Sequence, residues 1–413
     1  MSADTLAIDF GTSNSAVAIL HGDRPLRLAI EEGAQTLPTA VFFPANGGEM
    51  RIGAQAAKAL IEGEDGRYMR ALKSVLGAPL LHESRPIGGK RRTLADVVTA
   101  FLVEVKQRAE ARAGREYSRV LSGRPVHFHT ADPDRDAQAE ADLRACYHAA
   151  GFEHVSFLPE PEAAALTSHR LGQSGKIGLI VDIGGGTSDF SVFRTGATQI
   201  SILANHGIRL GGTDFDRTVS LAYAMPQLGH KGMLRREMGP GVLPMPKAIF
   251  ADLASWAKIP FLYTQEKRRE VAQMLKYAVE PKVLGRLATV LESELGHELA
   301  FAVERGKIAA NAGQADAQIN MRVIEPGLTA TIPAQSLGDT LAEHRKNIGA
   351  AARETLRMAG VTPDQVSTVI LVGGSSLMGI VVDEARAICP DAQLEYSEAF
   401  TAVVDGLALA TAR

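Results

Sequence analysis

Asp182-Ile183-Gly184-Gly185-Gly186-Thr187-Ser188-Asp189 stands between two apolar runs, Ile177 to Val181 before it and Phe190 to Phe193 after it. Short apolar runs flanking a glycine cluster predict two strands joined by a tight turn. The same plan occurs once earlier. Leu6-Ala7-Ile8 leads into Asp9-Phe10-Gly11-Thr12-Ser13-Asn14-Ser15, and Ala16-Val17-Ala18-Ile19-Leu20 returns. The glycine triplet sits between strands and not ahead of a helix, so it departs from the G-x-G-x-x-G dinucleotide pattern. Alone, the second turn also reads as a simple strand connection. Together, the two turns are what a two-lobed phosphate clamp requires, one loop from each lobe.

The residue types suit that chemistry. Phosphate oxygens need backbone N–H donors at close range, and Gly11, Gly184, Gly185 and Gly186 leave the backbone uncovered. Thr12 and Thr187 add hydroxyl donors. Magnesium is a hard cation that keeps most of its waters, so carboxylates behind those waters orient it. Asp9, Asp182 and Asp189 are placed for that role.

Outward from the loops, the chain alternates strands and helices. A strand is expected at Thr39 to Phe43 and helices over Gly53 to Leu60 and Leu94 to Arg112. A further strand is expected at Pro125 to His129, and a helix from Asp134 to about Ala150, stopped by Gly151. Leu221 to Arg305 is helix-rich and broken by Pro226, Pro240, Pro244, Pro246 and Pro260, which reads as an inserted subdomain and a candidate partner surface. Val369 to Val372 is expected as a strand, and a last helix near Ala399 to Thr411.

Composition narrows the classes of function. The 413 residues are 46% hydrophobic and 22% charged, an ordinary globular balance. Lys plus Arg total 44 against 47 Asp plus Glu, so there is no bulk electrostatic signature for nucleic acid or an anionic membrane. Cys146 and Cys389 form neither a disulfide framework nor a paired metal-ligand motif. His127 and His129 alternate on the expected strand, but no third metal ligand is evident. No apolar run approaches the roughly 20 residues of a membrane helix, and a cytoplasmic location is the expectation.

The ordered set of motifs resembles the DnaK-type, seventy-kilodalton heat-shock chaperones of the actin-like ATPase superfamily. Ile8 to Ser15 is similar to their first phosphate loop and Asp182 to Asp189 to their second. Gly211-Gly212-Thr213-Asp214-Phe215-Asp216 resembles the segment after it. Glu160-Pro161-Glu162-Ala163-Ala164-Ala165 resembles the connecting segment, and Val372-Gly373-Gly374-Ser375-Ser376 the adenosine loop. Gly123 to Phe128 and the proline-rich insert after Tyr223 look closest to a shorter, YegD-like branch.

The resemblance implies an α/β, actin-like two-lobed ATPase fold, built from duplicated ribonuclease-H-like domains, each with an inserted subdomain. Lobe I would comprise residues 1–173 plus 396–413, with its insert at about 39–115. Lobe II would comprise 174–395, with a helical insert at about 215–320. No segment resembles the family's peptide-binding domain. The resemblance also implies roles. Lys73 would reach the γ-phosphate, and Glu160 would position the attacking water. Asp9, Asp182 and Asp189 would hold Mg2+ through water. Gly11, Thr12, Ser13, Gly184, Gly185, Gly186, Thr187, Gly211 and Gly212 would cradle the phosphates. Glu304, Lys307, Ile308 and Asn311, with Gly373, Gly374 and Ser375, would hold the adenosine of ATP or ADP. Thr187 and Asp189 also belong to the catalytic set.

Three departures stand out. The family's base-stacking arginine is Ile308 here, a second arginine is Leu377, and the usual Asn-Pro-Asp before the last helix is replaced near Phe400. An isoleucine packs on a purine but supplies no cation–π attraction. Lys73 alone also fits an ordinary surface-helix lysine, and Glu304 with Lys307 an ordinary surface ion pair. The expected function is a slow Mg·ATPase, a chaperone-like protein whose lobe closure signals to an unknown protein partner. A nucleotide-binding module with little or no turnover is the alternative. A sugar kinase would need an additional carboxylate base, which does not stand out. A filament would need a self-complementary surface, and a monomer is the expectation.

Overall fold

Each of the two glycine turns seeds a sheet. In the computed structural model, which describes residues 4–129, 132–167, 175–196, 200–396 and 401–412, the first sheet contains β1 (Thr5–Phe10), β2 (Asn14–His21), β3 (Arg24–Arg27), β4 (Arg119–Arg124) and β5 (His154–Pro159). Their order is β5-β4-β1-β2-β3. β1, β2 and β3 form an antiparallel meander, while β4 and β5 run parallel to β1. The second sheet contains β6 (Ile177–Ile183), β7 (Ser188–Thr195), β8 (Ile200–Ile208), β9 (Val366–Val372) and β10 (Gln393–Tyr396). Its order is β8-β7-β6-β9-β10, again a meander followed by two parallel strands. The two sheets share one topology, which is the duplicated α/β architecture of the actin-like ATPase fold.

Helices α1 (Leu94–Ala113), α2 (Pro133–Ala149), α3 (Glu160–Thr167), α5 (Ala342–Met358) and α6 (Ala402–Ala410) accompany the sheets, and α4 (Gly296–Asn311) lies in the long segment between β8 and β9. α1 opens with a capping box, in which Thr93 Oγ1 accepts from the Asp96 amide and Asp96 accepts from the Thr93 amide. Asp132 accepts the Arg135 amide at the start of α2, and Gly151, at φ 89°, follows its end. Short apolar α3 and α6 form the core that joins the two sheets. Ala163, Ala164, Val404, Leu407 and Ala408 pack with Ala7, Ala16 and Ala18 of the first sheet and Ile180, Phe193 and Ile370 of the second. Small side chains on both sides let the helices approach closely.

Pro125 to His129 is not a strand; the strand is Arg119–Arg124, one segment earlier. β4 pairs with β5 only as far as Arg124 opposite Pro159, and Pro125 then has no N–H to continue the ladder. The next donors go to carboxylates. Val126 N donates to Asp189 Oδ1 at 2.6 Å, and His129 N to Asp136 Oδ1 at 3.0 Å. The expected last helix is present as α6; Ala399 lies outside the described residues.

The chain divides into two compact units, one from the N-terminus to Gly212 together with residues from Arg345 on, the other Thr213–His344. Both sheets belong to the first. The second unit is mainly helical and contains α4, the paired helices Gln265–Tyr277 and Pro281–Glu292, and two short hairpins. Leu284, Leu287, Val290, Trp256, Leu299 and Val303 are among its buried side chains.

Candidate functional site

Four glycine-bearing loops meet in the first unit. The turn between β1 and β2 is closed by Gly11 N donating to Asn14 O at 3.1 Å, and that between β6 and β7 by Gly184 N donating to Thr187 O at 3.0 Å. The two turns face each other closely: a Cβ on Gly185 would lie 2.5 Å from Ser13 Oγ and 3.0 Å from Thr12 Cβ. Gly212 N donates to Gly184 O at 3.0 Å, and a Cβ on Gly211 would meet Gly186 N at 2.5 Å. Gly373, at φ 82°, brings the fourth loop against Ile183 O and Asp182; a Cβ there would be 2.4 Å from that carbonyl. Gly374 opens a short 3-10 turn, and Ser375 Oγ lies against Gly212. Thus Gly11, Thr12, Ser13, Gly184, Gly185, Gly186, Thr187, Gly211, Gly212, Gly373, Gly374 and Ser375 are brought together, and at Gly11, Gly211 and Gly373 a Cβ would run into backbone atoms.

The charged residues gather beneath these loops. Asp9 lies near the end of β1, while Asp182 and Asp189 stand directly opposite each other on β6 and β7. Glu160 is the first residue of α3. Lys73 lies on the 3-10 turn Leu72–Val75 that follows Ala71, whose φ is 59°. It is buried, not on a surface helix, and its Nζ is 2.6 Å from Glu160 Oε1.

The electrostatics report a shortage of positive charge. Burial pushes Asp9 up to about 7, with Glu160 adding to the effect and Lys73 opposing it. Burial and then Glu160 push Asp189 up to about 8, against the pull of the Val126 amide and Lys73. Asp182 is raised well above the carboxylate range by burial, Glu160 and both other aspartates. Burial works against the Lys73 ammonium, but Glu160 and Asp9 outweigh it and hold its pKa above the usual lysine value. Four carboxylates around one ammonium, all low in solvent exposure, are a costly arrangement without a further cation. Hard oxygen donors that are mutually repelling fit a hydrated divalent ion such as Mg2+. Among the described residues no group of three or more His, Cys, Asp or Glu is arranged to hold a metal ion directly.

Several partners of this site escaped sequence reasoning. The turn carrying Lys73 is held at successive backbone atoms by distant side chains. Arg209 Nη2 donates to Ser74 O at 2.9 Å, His129 Nε2 to Leu76 O at 2.8 Å, and Arg135 Nε to Gly77 O at 3.2 Å; Asp142 Oδ2 accepts from Gly77 N at 3.0 Å. Because His129 Nε2 donates, its Nδ1 accepts, and Arg209 Nη1 lies 3.2 Å from it. The imidazole is held below its usual pKa, first by burial. None of these residues belongs to a local motif, so no sequence signal marks them.

In the second unit, α4 carries Glu304, Lys307, Ile308 and Asn311. Lys307 is buried and its Nζ pairs with Asp216 Oδ1 at 2.7 Å, so it is not part of an ordinary surface pair with Glu304. Trp256 Nε1 donates to the other Asp216 oxygen at 3.2 Å. Asp216 is raised by burial, with Lys307 opposing. Ile308 is 56% exposed. Glu304 and Asn311 are half-buried. Phe400 lies outside the described residues. No described helix is long and apolar enough to cross a membrane.

Against known families, residues 5–234 match the family model described as Hsp70 protein.

Proposed function

The chain belongs to the Hsp70 family, and from its site we propose that it binds Mg·ATP and hydrolyses it slowly to ADP and phosphate. The observation that carries this reading is the buried Lys73–Glu160 pair, 2.6 Å apart, set among Asp9, Asp182 and Asp189. Phosphoryl transfer asks little covalent chemistry of a protein; it is chiefly positioning and charge stabilisation. The Gly11 and Gly184–Gly186 turns, whose glycines keep side chains out of the way, and the hydroxyls of Thr12 and Thr187 hold the phosphate chain. Lys73 places its ammonium against the terminal phosphoryl oxygens, where negative charge is greatest. Glu160 orients a water whose oxygen bonds to that phosphorus as the bridging P–O bond to ADP breaks. Magnesium, when bound, supplies the positive charge that this carboxylate cluster lacks, through waters oriented by Asp9, Asp182 and Asp189.

In this reading the lobes, residues 1–173 plus 396–413 and residues 174–395, close on nucleotide and open on its loss. That motion signals to a protein partner, as a site built from two lobes naturally does. Glu304, Lys307, Ile308 and Asn311 would meet the adenosine, with Lys307 exchanging part of its hold on Asp216 for the ribose.

One observation favours a second reading, a nucleotide-binding module without turnover. Ile308 and Leu377, each exposed, stand where the family's arginines would, and base affinity is correspondingly weaker. ADP formation by the purified protein with Mg·ATP, beside Thr187→Ala and a GTP control, decides. Turnover that prefers ATP and is lost in the variant supports the ATPase. Binding without turnover supports the module, and absence of binding overturns both.

A further inference from the structure

His129 and Arg209 line two cavities at once. One is the small pocket that also touches Thr12, Lys73, Gly186 and Thr187. The other is a cavity of about 660 Å³ in the same unit, walled by Arg135, His206, Ile208 and the α5 residues Asn347, Ala350 and Glu354. The partition between them includes the Arg209 guanidinium, bridging His129 Nδ1 and Ser74 O. Long side chains of this kind change rotamer on the picosecond-to-nanosecond scale when exposed.

We infer that the larger cavity is the exit route for inorganic phosphate, with Arg209 and His129 as its gate. This rests on the hydrolytic reading above. Phosphate is cleaved from the end of the nucleotide farthest from the base, so ADP stands between it and the path by which ATP entered. The way past Lys73, Thr12 and Thr187 leads to Arg209. Beyond the gate the cavity favours an anion. Arg135 and Arg209 both line it, as does the start of the 17-residue helix α2, whose amide dipoles point positive at that end. The acidic residues of the lining are already engaged: Asp132 caps α2 through the Arg135 amide, and Glu354 is bonded twice to Arg357, at 2.6 and 2.7 Å. His129 and His206 are kept below their ordinary pKa, first by burial, and present neutral rings. At about 30 Å³ per water, the space admits a phosphate with its hydration.

The test separates cleavage from release in a single turnover of the full chain. Acid-quenched samples report total phosphate, and a fluorescent phosphate-binding sensor reports free phosphate. Ala350→Trp fills the cavity from an exposed position on α5; it should leave cleavage unchanged and slow release about fivefold or more, as expected when product release is gated. Arg209→Ala should shorten the delay between the two signals, and Ala350→Ser should match the wild type. Normal cleavage with release unaltered by Ala350→Trp overturns the exit route alone. No acid-quenched phosphate in any protein overturns the hydrolytic reading, and the route with it.

Discussion

Lys73 Nζ and Glu160 Oε1 lie 2.6 Å apart although 87 residues separate them, and both side chains are nearly withdrawn from water. The pair ties the turn after Ala71 to the first residue of α3 and sets the geometry at which a terminal phosphate and its attacking water would meet.

Removing either partner has distinct consequences. Lys73→Ala leaves four carboxylates with no ammonium, and a broken buried pair costs about 3–5 kcal/mol. Glu160→Gln removes one of the charges that repel the three aspartates, so it should cost less stability. Both should lower kcat about a hundredfold or more, the scale of losing a preorganised electrostatic group. Urea midpoints and steady-state ADP formation check the two claims; equal destabilisation by both substitutions would contradict the charge argument.

The aspartates impose a pH dependence on the nucleotide-free protein. Asp9 and Asp189 keep protons up to about 7 and about 8 when folded, whereas unfolded chains lose them near the ordinary aspartate value of 3.8. The folded state therefore binds more protons in that interval, and stability falls as pH rises from about 4 and levels off above about 8. Asp182, raised in the same direction, steepens the fall. Added Mg2+ should flatten it by favouring the ionised carboxylates. Thermal melts from pH 5 to 9, with and without Mg2+, read this directly; a stability that climbs over the interval would refute it.

Gly406 is the contact point of α6 on α3. A Cβ there would lie 1.7 Å from Ala163 O, a backbone atom that cannot give way without moving the helix. Gly406→Ala should destabilise by about 3 kcal/mol. Because Ala163 follows Glu160 on α3, the same change should lower ADP formation in the fraction that stays folded. Chemical denaturation and activity per folded molecule measure the two effects.

Ile308→Arg should tighten ATP binding about two- to fivefold, the equivalent of a cation–π contact of about 0.5–1 kcal/mol. The gain should be confined to nucleotides carrying a base and absent for inorganic triphosphate. Calorimetric titration with both probes checks it, and an equal gain for triphosphate would show a simple charge effect instead.

The sequence by itself determined the fold class and the two glycine turns proposed to hold phosphate. Strand, glycine turn and strand are local patterns written in consecutive residues, and their repetition at Asp9 and Asp182 makes the duplication legible in the chain alone. The residues of those turns need no distant partner to be recognised. Pro125 to His129 misled because its β-like composition is local, while the fate of its donors is not: Asp189 and Asp136 accept the Val126 and His129 amides, and β4 ends beforehand. Only the tertiary structure decided that Lys73 is buried on Glu160, that Lys307 is held by Asp216, and that Arg209, His129, Arg135 and Asp142 grip the Lys73 turn. Each of those relations joins side chains from separate elements, and whether two such charges meet depends on how the chain packs, which the spacing along it does not encode.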